Sequence, residues 1–278
     1  MKQKISNNVV LSLLDNYGWG LKILIAFMVL NGGFLPGQPA QTQIVPSYVL
    51  PDDTYSQDIY DLAQSSTVRI IQNNAAGTGV IIYQQGQTYT VLTNWHVVKT
   101  DSVLSIMTAD GKTYQLSQPP QQLGNFDLAI IQFECLDPHQ VATVGTTDPE
   151  VGEKVYAAGF PLYEQDDSST NTIPQGVEAF RLTQGEVSLI PPKSLPDGYH
   201  LGYTNDTAIG MSGGPIFNTK GFLVGVHGRG KHRDPNFGVY TFEDGSEPTP
   251  EMLETMINSS WGIPITTYLQ FTSQASQN

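Results

Sequence analysis

The sequence predicts an all-β protein of closed antiparallel sheets with a helical C-terminal end. Three observations carry this. From Thr67 onward, short runs rich in Val, Ile, Thr and aromatics recur, each of strand length and bounded by turn residues. The 27 glycines and 18 prolines among 278 residues leave little room for long helices. No strand–helix alternation of the kind that builds parallel sheets is present, so the short strands must close on one another.

The elements follow in chain order. In residues 1–40, Lys2 and Lys4 precede the apolar run Ile23–Leu30, and Pro36, Gly37 and Ala40 come after it. That is the order of a secretory signal peptide, with cleavage after Ala40; an uncleaved N-terminal membrane anchor is the alternative. The run is shorter than the ~20 residues of a comfortable span. Either form places the body outside the cytoplasm, in a periplasmic or extracellular location. Residues 41–57 read as a Pro/Gln-rich linker. A first helix is expected at Tyr55–Ala63, opened by Ser56 or Asp58. Strands are expected at Thr67–Gln72, Thr78–Tyr83, Tyr89–Thr93, Val103–Met107, Leu128–Phe133, Val155–Gly159 and Phe222–His227. Asp110-Gly111 signals a hairpin. Thr249-Pro250-Glu251 opens a helix to Asn258, with proline in its first turn, and Pro264–Phe271 is a closing helix.

Composition removes several functions. Lys plus Arg number 13 against 26 Asp plus Glu, a net charge of −13. Such a chain repels phosphate backbones and anionic bilayers, so no nucleic-acid partner is expected, and membrane contact only through an uncleaved N-terminus. The single Cys135 excludes an internal disulfide and a Cys-rich zinc site, and reads as a small buried apolar residue. Asp52-Asp53 and Asp166-Asp167 read as solvated loop charge; neither metal nor cofactor is expected. Oligomeric state leaves no mark on the sequence.

Three short motifs carry chemistry. Thr93-Asn94-Trp95-His96-Val97-Val98 places a histidine at a strand end. Asn125-Phe126-Asp127-Leu128-Ala129 puts an acid at the entrance of an apolar strand. Alone, the first is equally a satisfied histidine and the second a turn-capping aspartate. Gly210-Met211-Ser212-Gly213-Gly214-Pro215 is more specific. Glycines around a serine let the backbone turn tightly and aim amide N–H groups at one point, which acyl transfer needs for its developing negative charge.

Together, in the order His96, Asp127, Ser212, these motifs resemble the trypsin/chymotrypsin-like serine endopeptidases over roughly residues 65–245. Gly77-Thr78-Gly79-Val80-Ile81-Ile82 looks like the strand before the histidine in bacterial high-temperature-requirement proteases. Gly238-Val239-Tyr240-Thr241 is similar to the late strand that closes the specificity pocket. The resemblance implies two antiparallel six-stranded β-barrels of chymotrypsin type: residues 58–145 carrying His96 and Asp127, residues 146–248 carrying Ser212, and a C-terminal helical segment and tail at 249–278. That last segment has room for closing helices only, so no appended PDZ domain is expected. The implied roles are Ser212 as nucleophile, His96 as base, Asp127 as the residue orienting His96, and the Gly210 and Ser212 amides as oxyanion hole. Polypeptides are the implied substrates. Many animal members carry an aspartate where Met211 stands, and receive a newly cut N-terminus there; activation by that route is not expected. Val97 stands where disulfide-bearing members have cysteine. Both differences point to the bacterial, disulfide-free branch.

The pocket for the side chain preceding the cut bond, S1, draws on Asp206, His227, Gly230 and Gly238. Asp206, six residues before Ser212, sits where trypsin-like members keep the acid that binds Arg or Lys. His227 matches the histidine with which bacterial glutamyl endopeptidases receive a carboxylate. A loop acid and a strand histidine paired with a neighbour, Asp206 itself being one candidate, are the plain alternatives. The expectation is a weak preference for basic residues, with glutamate as competitor. Two other functions remain. A protease fold that binds peptides without turnover differs in failing to label at Ser212. An esterase of another hydrolase fold usually orders its residues Ser, Asp, His, the reverse of the order here.

Overall fold

The computed structural model describes residues 57–275 except 74, 166–167 and 232–239, and these fall in one compact unit. Residues 1–40, the linker up to Ser56, both acidic pairs and Gly238 lie outside the described residues.

The first sheet is antiparallel. Helix α1 (Gln57–Ser66) leads into β1 (Thr67–Gln72), β2 (Ala75–Gln85) and β3 (Thr88–Thr93), then the single-turn helix α2 (Trp95–Val98). Next come β4 (Ser105–Met107), β5 (Thr113–Gln115), β6 (Gln121–Gln122) and β7 (Ala129–Glu134). Their spatial order is β5-β4-β1-β2-β3-β7-β6. Beyond β5 the Ser117 amide bonds the Gln132 carbonyl of β7 at 2.8 Å, which rolls the sheet into a barrel. The Asp110-Gly111 hairpin is present: Gly111 adopts φ +79°, and the Thr108 hydroxyl bonds Asp110 at 2.5 Å.

The second sheet contains β8 (Thr143–Val144), β9 (Lys154–Gly159), β10 (Arg181–Leu189), β11 (Leu201–Tyr203), β12 (Pro215–Asn218), β13 (Phe222–Arg229) and β14 (Ser260–Pro264). The order β12-β9-β10-β11-β14-β13 closes because β12 also pairs with β13, and β8 adds in parallel to β13. This ring has the six strands expected. Each sheet counts seven because β6 and β8 are two-residue additions with no pattern of their own.

Residues 249–278 depart from expectation. Helix α3 (Pro250–Ile257) and helix α4 (Ile265–Ala275) are present, and the Thr249 side chain accepts the Met252 amide at the start of α3. Between them lies a strand, β14, which fills the barrel between β11 and β13. The segment is therefore not helical alone. Among the described residues of the expected late strand, Tyr240 and Thr241 belong to no strand.

Alternation explains why so many strands are apolar throughout. Ile81 and Val91 point into the first barrel with Val68, Ile70 and Phe133. Their neighbours Val80, Ile82 and Leu92 point the other way, into a layer shared with Tyr156, Ala158, Phe217 and Trp261 of the second barrel. Val155 and Ala157, alternating with those, fill the second barrel beside Leu201, Ile216 and Val224. Side chains alternate faces along a strand, so a strand with a barrel interior on one side and a second barrel on the other has no polar face.

Candidate active site

His96 sits on α2, two residues past the extended Asn94. The Asn94 amide group donates to the Asp127 carbonyl at 2.8 Å, and the His96 backbone amide donates to Asp127 Oδ1 at 2.8 Å. His96 Nδ1 meets Asp127 Oδ2 at 2.6 Å. An ionised carboxylate only accepts, so Nδ1 carries the proton and Nε2 keeps its lone pair. Burial would push the Asp127 carboxyl up, but the bonds and charge from His96, with the Tyr199 hydroxyl, outweigh it and hold the group below the usual carboxylate value. Asp127 is thus the anion of the site.

Ser212 lies in a turn whose carbonyls are all engaged. Ala208 O accepts from the Met211 amide, Ile209 O from Leu162, Met211 O from Gly214, and Ser212 O from Thr78. Gly210 O accepts the Thr78 hydroxyl at 2.8 Å. A peptide unit is planar and trans, so each pinned carbonyl sends the next amide the opposite way. The Gly210 and Ser212 amides follow the Ile209 and Met211 carbonyls, and among the described residues neither finds an acceptor. Gly210 is the third residue of a type II turn, with φ +96°. A Cβ there would lie 2.5 Å from the Leu162 amide nitrogen and 2.6 Å from the Phe160 carbonyl oxygen. Only glycine fits.

The Ser212 hydroxyl donates to the Gly228 carbonyl at 3.0 Å and not to His96. That carbonyl is available because β13 shifts register against β14 between His227 and Arg229, leaving Gly228 outside the ladder. Ser212, His96 and Asp127 all line one cleft of about 580 Å³, together with Thr207, His227, Arg229 and Gly230.

His227 is buried, and its partner is Tyr203, whose hydroxyl stands 2.5 Å from Nδ1. Burial holds the Tyr203 phenol well above its ordinary value, so it keeps its proton and donates. Burial also pulls the His227 imidazole down to about 3, with the charge of His96 adding to it. His227 is therefore neutral, protonated on Nε2. Asp206 goes elsewhere. It is half-exposed, paired with Arg181 at 3.2 Å, and lines a neighbouring cavity of about 720 Å³ beside Phe180 and Glu178. The expected place at the base of the serine's cleft is not its own, because its carboxylate follows Arg181 on β10 to the other side of the 206–209 segment.

Four participants escaped the sequence reading. Tyr199 donates to Asp127 Oδ2 at 2.5 Å; the Thr78 hydroxyl braces Gly210; Tyr203 sets the His227 tautomer; Thr207 lines the cleft. Thr78 lay within a noted motif, but nothing local marks a tyrosine that acts on a residue far back in the chain.

Comparison with known proteins agrees with this geometry. A model described as the trypsin-like peptidase domain matches residues 77–226, more than half of the chain. Serine protease Do-like HtrA of Lactococcus lactis subsp. lactis is 27% identical over 203 residues, covering 70% of this chain; the chain spans 46% of that relative's length. Glutamyl endopeptidase of Staphylococcus epidermidis is 26% identical over 236 residues, 73% of each chain. Among solved structures, the serine endoprotease from Yersinia pestis superposes with a TM-score of 0.53 at 19% identity, covering 80% of this chain and 66% of that one, and shares the fold. From the paired barrels, the motif order and the matched span together, the chain belongs to the trypsin-like peptidase domain family.

Proposed function

We propose that this protein is a serine endopeptidase, acting on polypeptides through an acyl-enzyme and preferring an acidic residue before the cut bond. The observation that carries the first part is the pair of amides at Gly210 and Ser212, which have no acceptor among the described residues and are fixed by carbonyls bonded on their far sides, in the turn that bears the cleft serine. Ser212 turns from the Gly228 carbonyl to His96 Nε2 and gives up its proton as its oxygen bonds the substrate carbonyl carbon. The carbonyl electron pair moves onto oxygen, which the two amides receive. The pair returns as the C–N bond breaks, and His96 hands its proton to the leaving amine. Water repeats the sequence and frees Ser212. Asp127 stays ionised throughout and balances the imidazolium.

The acidic preference rests on what faces the cleft. His227 offers a neutral N–H donor on Nε2, Arg229, paired with Asp197 at 3.0 Å, brings a guanidinium to the rim, and Thr207 supplies a hydroxyl nearby. Asp206, the residue that would favour Arg or Lys, belongs to the neighbouring cavity. A fluorophosphonate probe followed by a peptide-library cleavage profile tests both parts. Labelling at Ser212, abolished by Ser212→Ala, and cuts after Glu are expected. A folded protein that takes no label sinks the hydrolase reading. Labelling with cuts after Arg or Lys sinks the preference alone.

A further inference from the structure

We propose that Tyr199 is a positioning residue of this site: its hydroxyl, reaching across from the second barrel, holds the Asp127 carboxylate at the pitch at which that carboxylate orients His96. The proposal rests on the hydrolytic reading above.

The Asp127 side chain has three donors. The His96 backbone amide takes Oδ1, while His96 Nδ1 and the Tyr199 hydroxyl share Oδ2. Two of the three belong to the residue Asp127 must orient. A carboxylate bonded only to its own client would turn with it. Tyr199 is the external reference. Its ring is fully buried and clamped from several sides. The Tyr199 carbonyl accepts the Leu195 amide at 2.8 Å, and the Asp197 carbonyl two residues earlier accepts the Asp127 amide at 2.9 Å. The Arg229 guanidinium lies 4.6 Å from the ring centroid and pairs with Asp197 at 3.0 Å.

Gly228 is the complement of that hydroxyl. A Cβ built on it would fall 2.1 Å from the Tyr199 oxygen. The tyrosine therefore occupies the space a side chain at 228 would take, and β13 must carry glycine there. The hydroxyl also remains a donor at any working pH, because burial and the Asp127 charge hold its proton against the opposing pull of Arg229.

The experiment uses the full chain and two substitutions of opposite sense. Tyr199→Phe removes the donor and keeps the ring; 3-fluorotyrosine at position 199 keeps the shape and strengthens the donor. The charged and titratable groups that line the cleft with His96 are Asp127, His227, Lys99, Arg229 and Asp197, with Tyr199 bonded to Asp127, and only position 199 changes. With Tyr199→Phe, kcat falls roughly 10- to 100-fold, the scale of one hydrogen bond to a charged group, while KM stays within a few-fold. The acid limb of the kcat/KM profile moves to higher pH, since a carboxylate one donor poorer holds the imidazolium more tightly; fluorotyrosine moves it to lower pH. A kcat loss with an unmoved limb, or limbs that move the same way in both variants, overturns the proposal and assigns Tyr199 to packing. Should the wild type neither label nor cleave, the hydrolase reading falls by itself, and the same opposed shifts are sought in the NMR titration of the His96 ring. Their absence there overturns the proposal independently. If Tyr199→Phe does not fold, the fluorotyrosine protein alone decides by the direction of its shift.

Discussion

Gly210 shows how one residue is bound by its surroundings on every side. Its carbonyl is tied to Thr78, the carbonyl before it to Leu162, and its φ of +96° is open to few residues with a side chain. Gly210→Ala should twist the turn to relieve contacts of 2.5 Å and 2.6 Å, withdrawing one amide from the developing oxyanion. A fall in kcat of about 10²–10³ with KM nearly unchanged is expected, the usual cost of one such donor. Steady-state kinetics checks it; a variant with native kcat would show that this amide takes no part. At this scale the sequence was informative where chemistry forces a local pattern. Glycines beside Ser212, and an acid and a histidine at strand ends, are such patterns. It was uninformative where a role depends on the direction of a side chain. Asp206 stands at the expected spacing from Ser212 and yet faces Arg181. Tyr199 has no motif at all.

Among the elements, strand β1 has a task that its pattern hides. Val68 and Ile70 fill the first barrel, so alternation turns Arg69 to the opposite face, which for a lone sheet would be solvent. Here it is the second barrel. Arg69 is fully buried, and its guanidinium donates to the Thr172 carbonyl at 2.9 Å, the Thr172 hydroxyl at 2.7 Å and the Gly176 carbonyl at 3.0 Å. Burial lowers it only to about 10, so it stays charged near neutrality. Among the described residues it has no carboxylate partner; backbone dipoles replace one. The segment it holds contains Leu162, whose amide pins the Ile209 carbonyl behind the turn that bears Ser212. Arg69→Met should lower stability by about 2–4 kcal/mol by stranding those acceptors, and should reduce kcat further than stability alone explains. Urea denaturation alongside kinetics on the folded fraction tests this, and wild-type stability would refute it. Strand bodies were legible because Val, Ile and Thr cluster in them. β14 was not, since Ser260-Trp261-Gly262-Ile263-Pro264 carries glycine and proline, which read as turn residues, and only its place between β11 and β13 makes it a strand.

For the whole molecule, pH acts through groups that the barrels bury uncharged. His227 titrates near 3 in the folded chain against 6.5 when exposed, so between those values the unfolded chain binds a proton that the folded one refuses. Stability therefore rises with pH across this window and is lost as pH falls through it, with a slope approaching 1.4 kcal/mol per unit, roughly, where only the unfolded form is protonated. His200, also lowered by burial, adds in the same direction. Asp127, held below its ordinary value, adds a further loss only under pH ~4. Urea midpoints should be flat above pH 7 and decline below 6.5, and His227→Gln should flatten that decline; an unchanged slope would exclude His227 as its source. Closed antiparallel sheets were legible in the strand pattern. Their pairing as two barrels came only with the resemblance that the three motifs carry, because a run of apolar residues does not say which body covers each face.

The position of β14 has a bearing on biosynthesis. Ser212, His96 and the strand bearing His227 all leave the ribosome before residues 260–264 do, yet the Gly225–Arg229 stretch of β13 has no neighbour on one side until those residues arrive. An emerging chain that already carries His96, Asp127 and Ser212 would still lack the strand that flanks this part of the cleft wall. Translation must pass residue 264 before the second barrel can close.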